Sequence, residues 1–113
     1  VNRSPWRTAA VAACLVLATT RADVNGLVRR RLGARKASFA PMDDAVALTG
    51  MEYGGITPIG LSEGWPRLVD PAVAAAEAVV VGSGVRRSKL ALPAALLAAL
   101  PGAEVLDGLG RPV

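Results

Sequence analysis

Two continuous apolar runs along the chain predict β-strands that are covered on both faces. The first run spans residues 9–19 and includes AACLVLA, and the second is AVVVG at residues 78–82. An unbroken apolar run is typical of a central strand, whereas a strand with one solvated face alternates apolar and polar residues. We therefore expect a sheet built around these two runs.

The first 22 residues also imitate a secretory signal peptide. Two arginines precede the apolar run, and small residues follow it. The run is shorter than the roughly 20 residues that span a membrane. A predicted capped helix follows directly, so we favour a buried strand and expect no membrane contact.

Capping residues predict four short helices between the strands. Asp23 caps a helix that runs to about Leu32 and stops at Gly33. Pro41 opens a second helix, with Asp43 and Asp44 in its first turn. This second helix ends near residue 48, and the glycine at position 50 can stop it.

The remaining elements are short. Asp70 and Pro71 begin a helix that reaches about residue 76, and Pro93 begins another that reaches about residue 100. Strands are predicted at KASFA (36–40), RLVD (67–70), EVL (104–106) and SKLAL (88–92), the last as a hairpin partner of residues 78–82. The crossovers are too short for a doubly wound sheet. We predict one α/β (α+β) domain with a mixed, partly closed β-sheet or barrel and short surrounding helices.

Composition narrows the chemistry that the chain can perform. The 113 residues are 52% hydrophobic but only 4% aromatic, so alanine, valine and leucine must build the core. Histidine is absent and Cys14 is the one cysteine, which excludes disulfides within the chain, histidine bases and cysteine-based zinc sites. Cys14 lies in an apolar run and is interpreted as a buried small side chain. We expect no metal and no cofactor.

The net charge of +4 comes mainly from two arginine-rich clusters. They contain Arg29, Arg30, Arg31 and Arg35 with Lys36, and Arg86 and Arg87 with Lys89. Such clusters are compatible with a polyanionic partner such as RNA, and equally with a solvated surface. If these arginines bind RNA, replacing them with neutral residues will weaken the salt dependence of RNA binding and leave the melting temperature nearly unchanged.

Two glycine-rich segments could bind a ligand through the backbone. In LTGMEYGGITPIGL (48–61), Gly54 and Gly55 permit positive φ, Pro58 fixes a turn and Gly60 permits another bend. Exposed amides there could hold a carbonyl as an oxyanion site does, although a purely structural loop is the alternative. VVVGSGV (79–85) has the same two interpretations: its backbone amides could bind a ligand, or the segment could be a simple hairpin turn.

The order of these motifs resembles the YbaK and prolyl-tRNA-synthetase-associated domain family of aminoacyl-tRNA deacylases. The similarity covers residues 11–109. It rests on Leu32-Gly33, Thr49-Gly50, the loop from Gly54 to Gly60, Asp70 after a strand, and Gly82 to Gly84. It implies a mixed α/β barrel, a cytoplasmic protein acting in trans, and aminoacyl-tRNA as the partner whose ester is hydrolysed.

The resemblance and the charge pattern together assign candidate site residues. The catalytic candidates are Thr49, Gly54, Gly55, Ile56 and Asp70, with the glycine loop as oxyanion cradle and Thr49 and Asp70 as supporting polar groups. The substrate-binding candidates are Gly50, Pro58, Gly60, Gly82, Ser83 and Gly84. The tRNA-binding candidates are Arg29, Arg30, Arg31, Arg35, Arg86 and Arg87.

The sequence also departs from the family pattern. Members carry some fifty further N-terminal residues, including a strand with a functional lysine, whereas the first lysine here is Lys36 in another element. We therefore interpret residues 1–113 as one editing-like domain without that part, and expect self-association through an exposed apolar flank. A non-catalytic tRNA- or RNA-binding module and a truncated structural domain are the alternative functions.

Overall fold

A three-stranded parallel sheet lies at the centre of the fold, and both of its faces are covered. The computed structural model describes residues 11–61 and 64–112. The sheet has the order β1 (Ala13–Leu15), β3 (Arg67–Val69) and β6 (Ala103–Val105). Successive residues of β1 and β3 contact apolar clusters on opposite faces, which places the hydrophobic core in two layers.

One face of the sheet is covered by a helical segment and a two-stranded ribbon. The ribbon pairs β2 (Thr20–Ala22) with β7 (Gly110–Pro112) in antiparallel orientation. A π-helical turn, Val24–Val28, leads into α1 (Arg29–Leu32). The Asp23 carboxylate accepts the Gly26 N–H at 3.2 Å, and Gly33 ends the segment with φ of 70°. The predicted boundaries of this helix are confirmed.

The other face is covered by α3 (Pro71–Ala74), α4 (Ala94–Ala98) and a hairpin of β4 (Ala78–Gly82) and β5 (Lys89–Pro93). Val69, Val73 and Leu97 form the buried cluster on this side with Leu15. The predicted hairpin and the predicted starts of both helices are confirmed, because Asp70 and Pro93 occupy the two N-caps.

Helix α2 (Met42–Thr49) lies apart from both clusters. It follows Pro41 and ends at Gly50 with φ of 70°, as predicted. None of its eight residues is buried, and Met42 and Leu48 are 45% and 55% exposed. Self-association through an exposed apolar flank remains a prediction. Among residues 11–61 and 64–112, no helix has the length and hydropathy to cross a membrane.

The mixed α/β class is confirmed, and so is a strand in the first apolar run that is covered on both faces, but the prediction that AVVVG is a central strand is wrong. The described strands form separate sheets that do not close into a barrel. Strand β4 belongs to the hairpin, where Val79 and Val81 contact the core while Val80 is 68% exposed. Among the described strands, β1 pairs with β3 alone and so lies at one end of this sheet, and residues 9 and 10 of the predicted strand lie outside the described range.

Short segments account for the other differences. KASFA forms no strand. The central strand of the parallel sheet is β3, whose three residues are all buried. It begins with Arg67, which is buried because its guanidinium donates to the carbonyl oxygens of Leu61 (2.6 Å), Trp65 (2.8 Å) and Pro101 (3.0 Å). These hydrogen bonds fix the loop before β3, which contributes to the cavity described next.

Candidate aminoacyl-binding site

A cavity of about 890 Å³ opens on the side of the molecule that carries β1 and α2. Its walls include β1, β2, the segment 36–41, α2 and the second half of the glycine-rich loop, and most of its lining is apolar. Residues that are distant in the sequence therefore line the same cavity. Its volume lies in the range of small-molecule binding sites in proteins.

The second half of the glycine-rich loop reaches this cavity. Ile56, Thr57 and Pro58 all line it. Thr57 is buried, and its hydroxyl oxygen accepts the Ile59 N–H at 3.4 Å. The backbone just after the two glycines therefore forms part of the cavity wall.

The first half of the loop lies against the turn of the β4–β5 hairpin. The Gly84 N–H donates to the Gly55 oxygen at 2.7 Å, and the Glu52 N–H donates to the Gly84 oxygen at 3.0 Å. The Glu52 side chain accepts the N–H of Arg86 at 2.8 Å, and Lys89 Nζ donates to the Gly54 oxygen at 2.6 Å. The hairpin turn therefore holds the glycine loop in one conformation.

Close backbone contact explains two of the glycines. A Cβ atom on Gly55 would lie 2.5 Å from the carbonyl carbon of Val85. A Cβ atom on Gly82 would lie 2.6 Å from the carbonyl oxygens of Gly55 and Ile56. Neither distance accommodates a side chain. The loop and the hairpin can meet only where both lack one.

Positive φ belongs to Gly54 rather than to Gly55. Gly54 has φ of 81°, whereas Gly55 is not in the left-handed region. The Gly55 N–H donates to the Glu52 carbonyl oxygen at 2.9 Å and so closes the turn. That hydrogen bond has to be exchanged before the Gly55 amide can serve a substrate.

The predicted site residues divide into groups. Thr49, Ile56 and Pro58 line the cavity. Gly54, Gly55, Gly82, Ser83 and Gly84 form the junction of loop and hairpin. Gly50 ends α2, and Gly60 has φ of 83° with open space around it. Their roles in substrate binding and catalysis remain predictions.

The two supporting polar groups, Thr49 and Asp70, form hydrogen bonds with the backbone. The Thr49 hydroxyl donates to the Ala45 oxygen at 2.8 Å and accepts the Met51 N–H at 3.1 Å. The Asp70 carboxylate is buried and accepts the N–H groups of Ala72 at 3.0 Å and Gly110 at 2.7 Å. Asp70 does not line the cavity. Both side chains are thus placed to orient backbone segments.

The sequence interpretation missed other groups at the cavity. Lys36, Asp44 and Cys14 line it as well. Lys36 and Asp44 come from the segment before α2 and from its first turn, and only the tertiary fold brings them to β1. Burial raises the pKa of the Cys14 thiol to about 11, so at neutral pH this sulfur is protonated and a poor nucleophile.

The raised pKa of Cys14 predicts a loss of stability at alkaline pH. The stabilising contribution is complete below the ordinary thiol pKa of 9.0 and is lost as pH rises to about 11, because only the unfolded chain ionises freely. The loss expected from this shift is about 2–3 kcal/mol. Denaturant unfolding of wild type and Cys14→Ala between pH 8 and about 11 measures it. Equal pH dependence in the two proteins would contradict this prediction.

The candidate tRNA-binding arginines differ in environment. Arg30, Arg35, Arg86 and Arg87 are exposed. Arg31 is half-buried and forms a bidentate ion pair with Glu104 of β6, at 2.6 and 2.8 Å, and the hydrogen bond to that carboxylate raises the pKa of Arg31. Arg29 Nε donates to the Asn25 oxygen at 2.7 Å. Arg31 therefore also has a structural role. Among the described residues, no group of His, Cys, Asp or Glu side chains is arranged to hold a metal ion.

Comparison with known proteins identifies the family. The family model for the aminoacyl-tRNA editing domain matches residues 7–100. The search of curated proteins found no significant match to the sequence.

Solved structures give a consistent result. A candidate trans-editing enzyme for prolyl-tRNA synthetase is 28% identical, with a TM-score of 0.74 over 87% of this chain and 60% of that one. A scaffold protein from computational epitope grafting is 30% identical, with a TM-score of 0.74 over 87% of this chain and 63% of that one. A hypothetical protein at 22% identity has a TM-score of 0.76 over 87% of this chain and 63% of that one, and it shares the fold. The chain therefore spans somewhat less than two thirds of each structure, and it belongs to the aminoacyl-tRNA editing domain family.

Proposed function

We propose that the chain is a trans-acting deacylase that hydrolyses the ester of mischarged tRNA in the cytoplasm. The observation that carries this proposal is the apolar cavity whose wall includes Ile56, Thr57 and Pro58. The family match and the similarity to a candidate trans-editing enzyme support it. An amino-acid side chain is often apolar, and the cavity suits such a group in its lining and has room for it.

The proposed chemistry needs few catalytic side chains. The aminoacyl side chain enters the cavity, and the ester carbonyl lies against the loop of residues 54–58, of which 56–58 line the cavity. The Gly55 amide first exchanges its hydrogen bond to the Glu52 oxygen. Water adds to the carbonyl carbon, the bond from that carbon to the ribose oxygen breaks, and a proton passes to the ribose oxygen. As the resemblance to the editing family implies, we assign activation of the water to a neighbouring hydroxyl of the tRNA itself. Cys14 is protonated and the Thr49 hydroxyl is bonded to a backbone carbonyl, so neither is assigned as the base.

A deacylation assay tests this function. Purified protein is incubated with a panel of tRNAs, each charged with a cognate or a non-cognate amino acid, and release of the amino acid is measured. Faster release from at least one mischarged tRNA than in buffer supports the proposal. Salt-dependent tRNA binding without any release of the amino acid would instead indicate a binding module. If the protein showed neither release nor tRNA binding, tRNA would be ruled out as its partner.

The exposed arginines are expected to contact tRNA phosphates. Arg30, Arg35, Arg86 and Arg87 are exposed, so replacing each with Gln should change the melting temperature little. Each lost phosphate contact should reduce the slope of log K against log salt by about 0.7–0.9. Titration of labelled tRNA at several salt concentrations measures that slope. An unchanged slope in a variant with all of these substitutions would show that they only solvate the surface.

A further inference from the structure

An exposed aromatic ring lies at the boundary between the large cavity and a second one. Phe39 is the single phenylalanine of the chain and is 52% exposed. The guanidinium of Arg21 lies over its ring, 4.9 Å from the centroid. Both residues line the apolar cavity and also an adjoining cavity of about 750 Å³.

The second cavity has a different character from the first. Charged residues Arg21, Asp23 and Arg111 line it. Arg21 and Arg111 are directly opposed in the β2–β7 ribbon, and opposed residues in an antiparallel pair project to the same face. Like charges in that position repel, and the ion pair of Arg111 with Asp23 at 3.1 Å compensates only one of them. An anionic group bound there would relieve the repulsion.

We propose that Phe39 and Arg21 form a stacking platform for the base of the nucleoside that carries the ester, the terminal adenosine of tRNA. This inference rests on the proposed function. An aminoacylated 3′ end presents an aminoacyl group, a ribose with its base, and a phosphate in that order. The structure presents the apolar cavity, then Phe39 with the Arg21 guanidinium over its ring, then Arg111 in the adjoining cavity, in the same order. Aromatic side chains bind bases by stacking, and arginines bind phosphates.

The test uses an uncharged acceptor-stem RNA hairpin ending in CCA and the same hairpin with an abasic terminal nucleotide. Loss of stacking on one base should weaken binding roughly 5- to 150-fold. Phe39→Leu should therefore bind the CCA hairpin that much more weakly than wild type, and Phe39→Trp should restore binding. The abasic hairpin should bind wild type and Phe39→Leu equally, since the contact is already lost.

Matched controls keep the inference separate from the proposed function. Leu96 is 55% exposed on α4 and lines neither cavity, so Leu96→Ala should leave binding unchanged. Binding of uncharged RNA is measured without hydrolysis, so an inactive deacylase can still show dependence on the base. Equal effects of Phe39→Leu on both hairpins, or a changed oligomeric state with unchanged affinity, would overturn the inference. Where the chain deacylates, Phe39→Leu should raise KM and leave kcat unchanged.

Discussion

Gly55→Ala is expected to destabilise the protein and to reduce deacylation by more than the lost folded fraction explains. The new Cβ atom would lie 2.5 Å from the Val85 carbonyl carbon, and backbone atoms cannot rotate away as a flexible side chain can. Overpacking of this kind typically costs about 1–3 kcal/mol. The loop and the hairpin must separate, which moves Ile56 and Pro58 at the cavity wall. A displacement of about 1 Å at a reacting centre can reduce a rate about 100-fold.

Two other glycines provide controls for this variant. Gly64 has open space around it and is not in the left-handed region, so Gly64→Ala should change stability by less than about 0.5 kcal/mol. Gly50 also has open space but has φ of 70°, so Gly50→Ala should show the cost of backbone strain alone, about 1–3 kcal/mol. Denaturant unfolding gives stability, and deacylation is divided by the folded fraction. If the Gly55→Ala protein were folded and fully active, the contact between the loop and the hairpin would not be required for deacylation.

The reason for a glycine at position 55 differs from the one that the sequence suggested. The sequence showed a flexible, glycine-rich loop and led to the expectation of positive φ and exposed amides. The structure shows instead that Gly55 permits close contact with the hairpin, 30 residues further along the chain at Val85. A distant contact of this kind leaves no local pattern in a single sequence. The positive φ of Gly54 is the local feature, and it was predictable.

Local capping signals predicted the helices well, and tertiary position was harder to predict. Asp23 and Asp70 cap helices by accepting an N–H two or three residues away, and Gly33 ends a helix with a positive φ. These features depend only on residues nearby in the sequence, so a sequence pattern can predict them. The AVVVG run predicts a strand, but its composition does not reveal that one face is exposed. Strands β2 and β7 have only three residues each and include TRA and GRP, which show no apolar alternation. The cavity was missed because its walls come from distant segments.

Asp70→Ala is expected to be the most destabilising of the predicted site substitutions and to affect activity only through folding. The carboxylate is buried and holds two N–H groups, one at the start of α3 and one at Gly110 of β7. Loss of an N-cap costs about 1 kcal/mol, and a hydrogen bond to a charged group contributes about 1.5–3 kcal/mol. We expect the free energy of unfolding to fall by about 2–4 kcal/mol, because the partly buried Gly110 N–H loses its acceptor.

Asp70→Asn separates this structural role from a catalytic one. The amide has a single acceptor oxygen, so it can satisfy only one of the two donors well, and we expect about half the loss seen for alanine. Glu77 is exposed, and Glu77→Ala serves as a carboxylate control that should stay within about 0.5 kcal/mol of wild type. Because Asp70 lies outside the cavity lining, the deacylation rate per folded molecule should match wild type in both Asp70 variants. A folded but inactive Asp70→Asn protein would instead place this carboxylate in the reaction, and the substrate would then have to reach the end of β3.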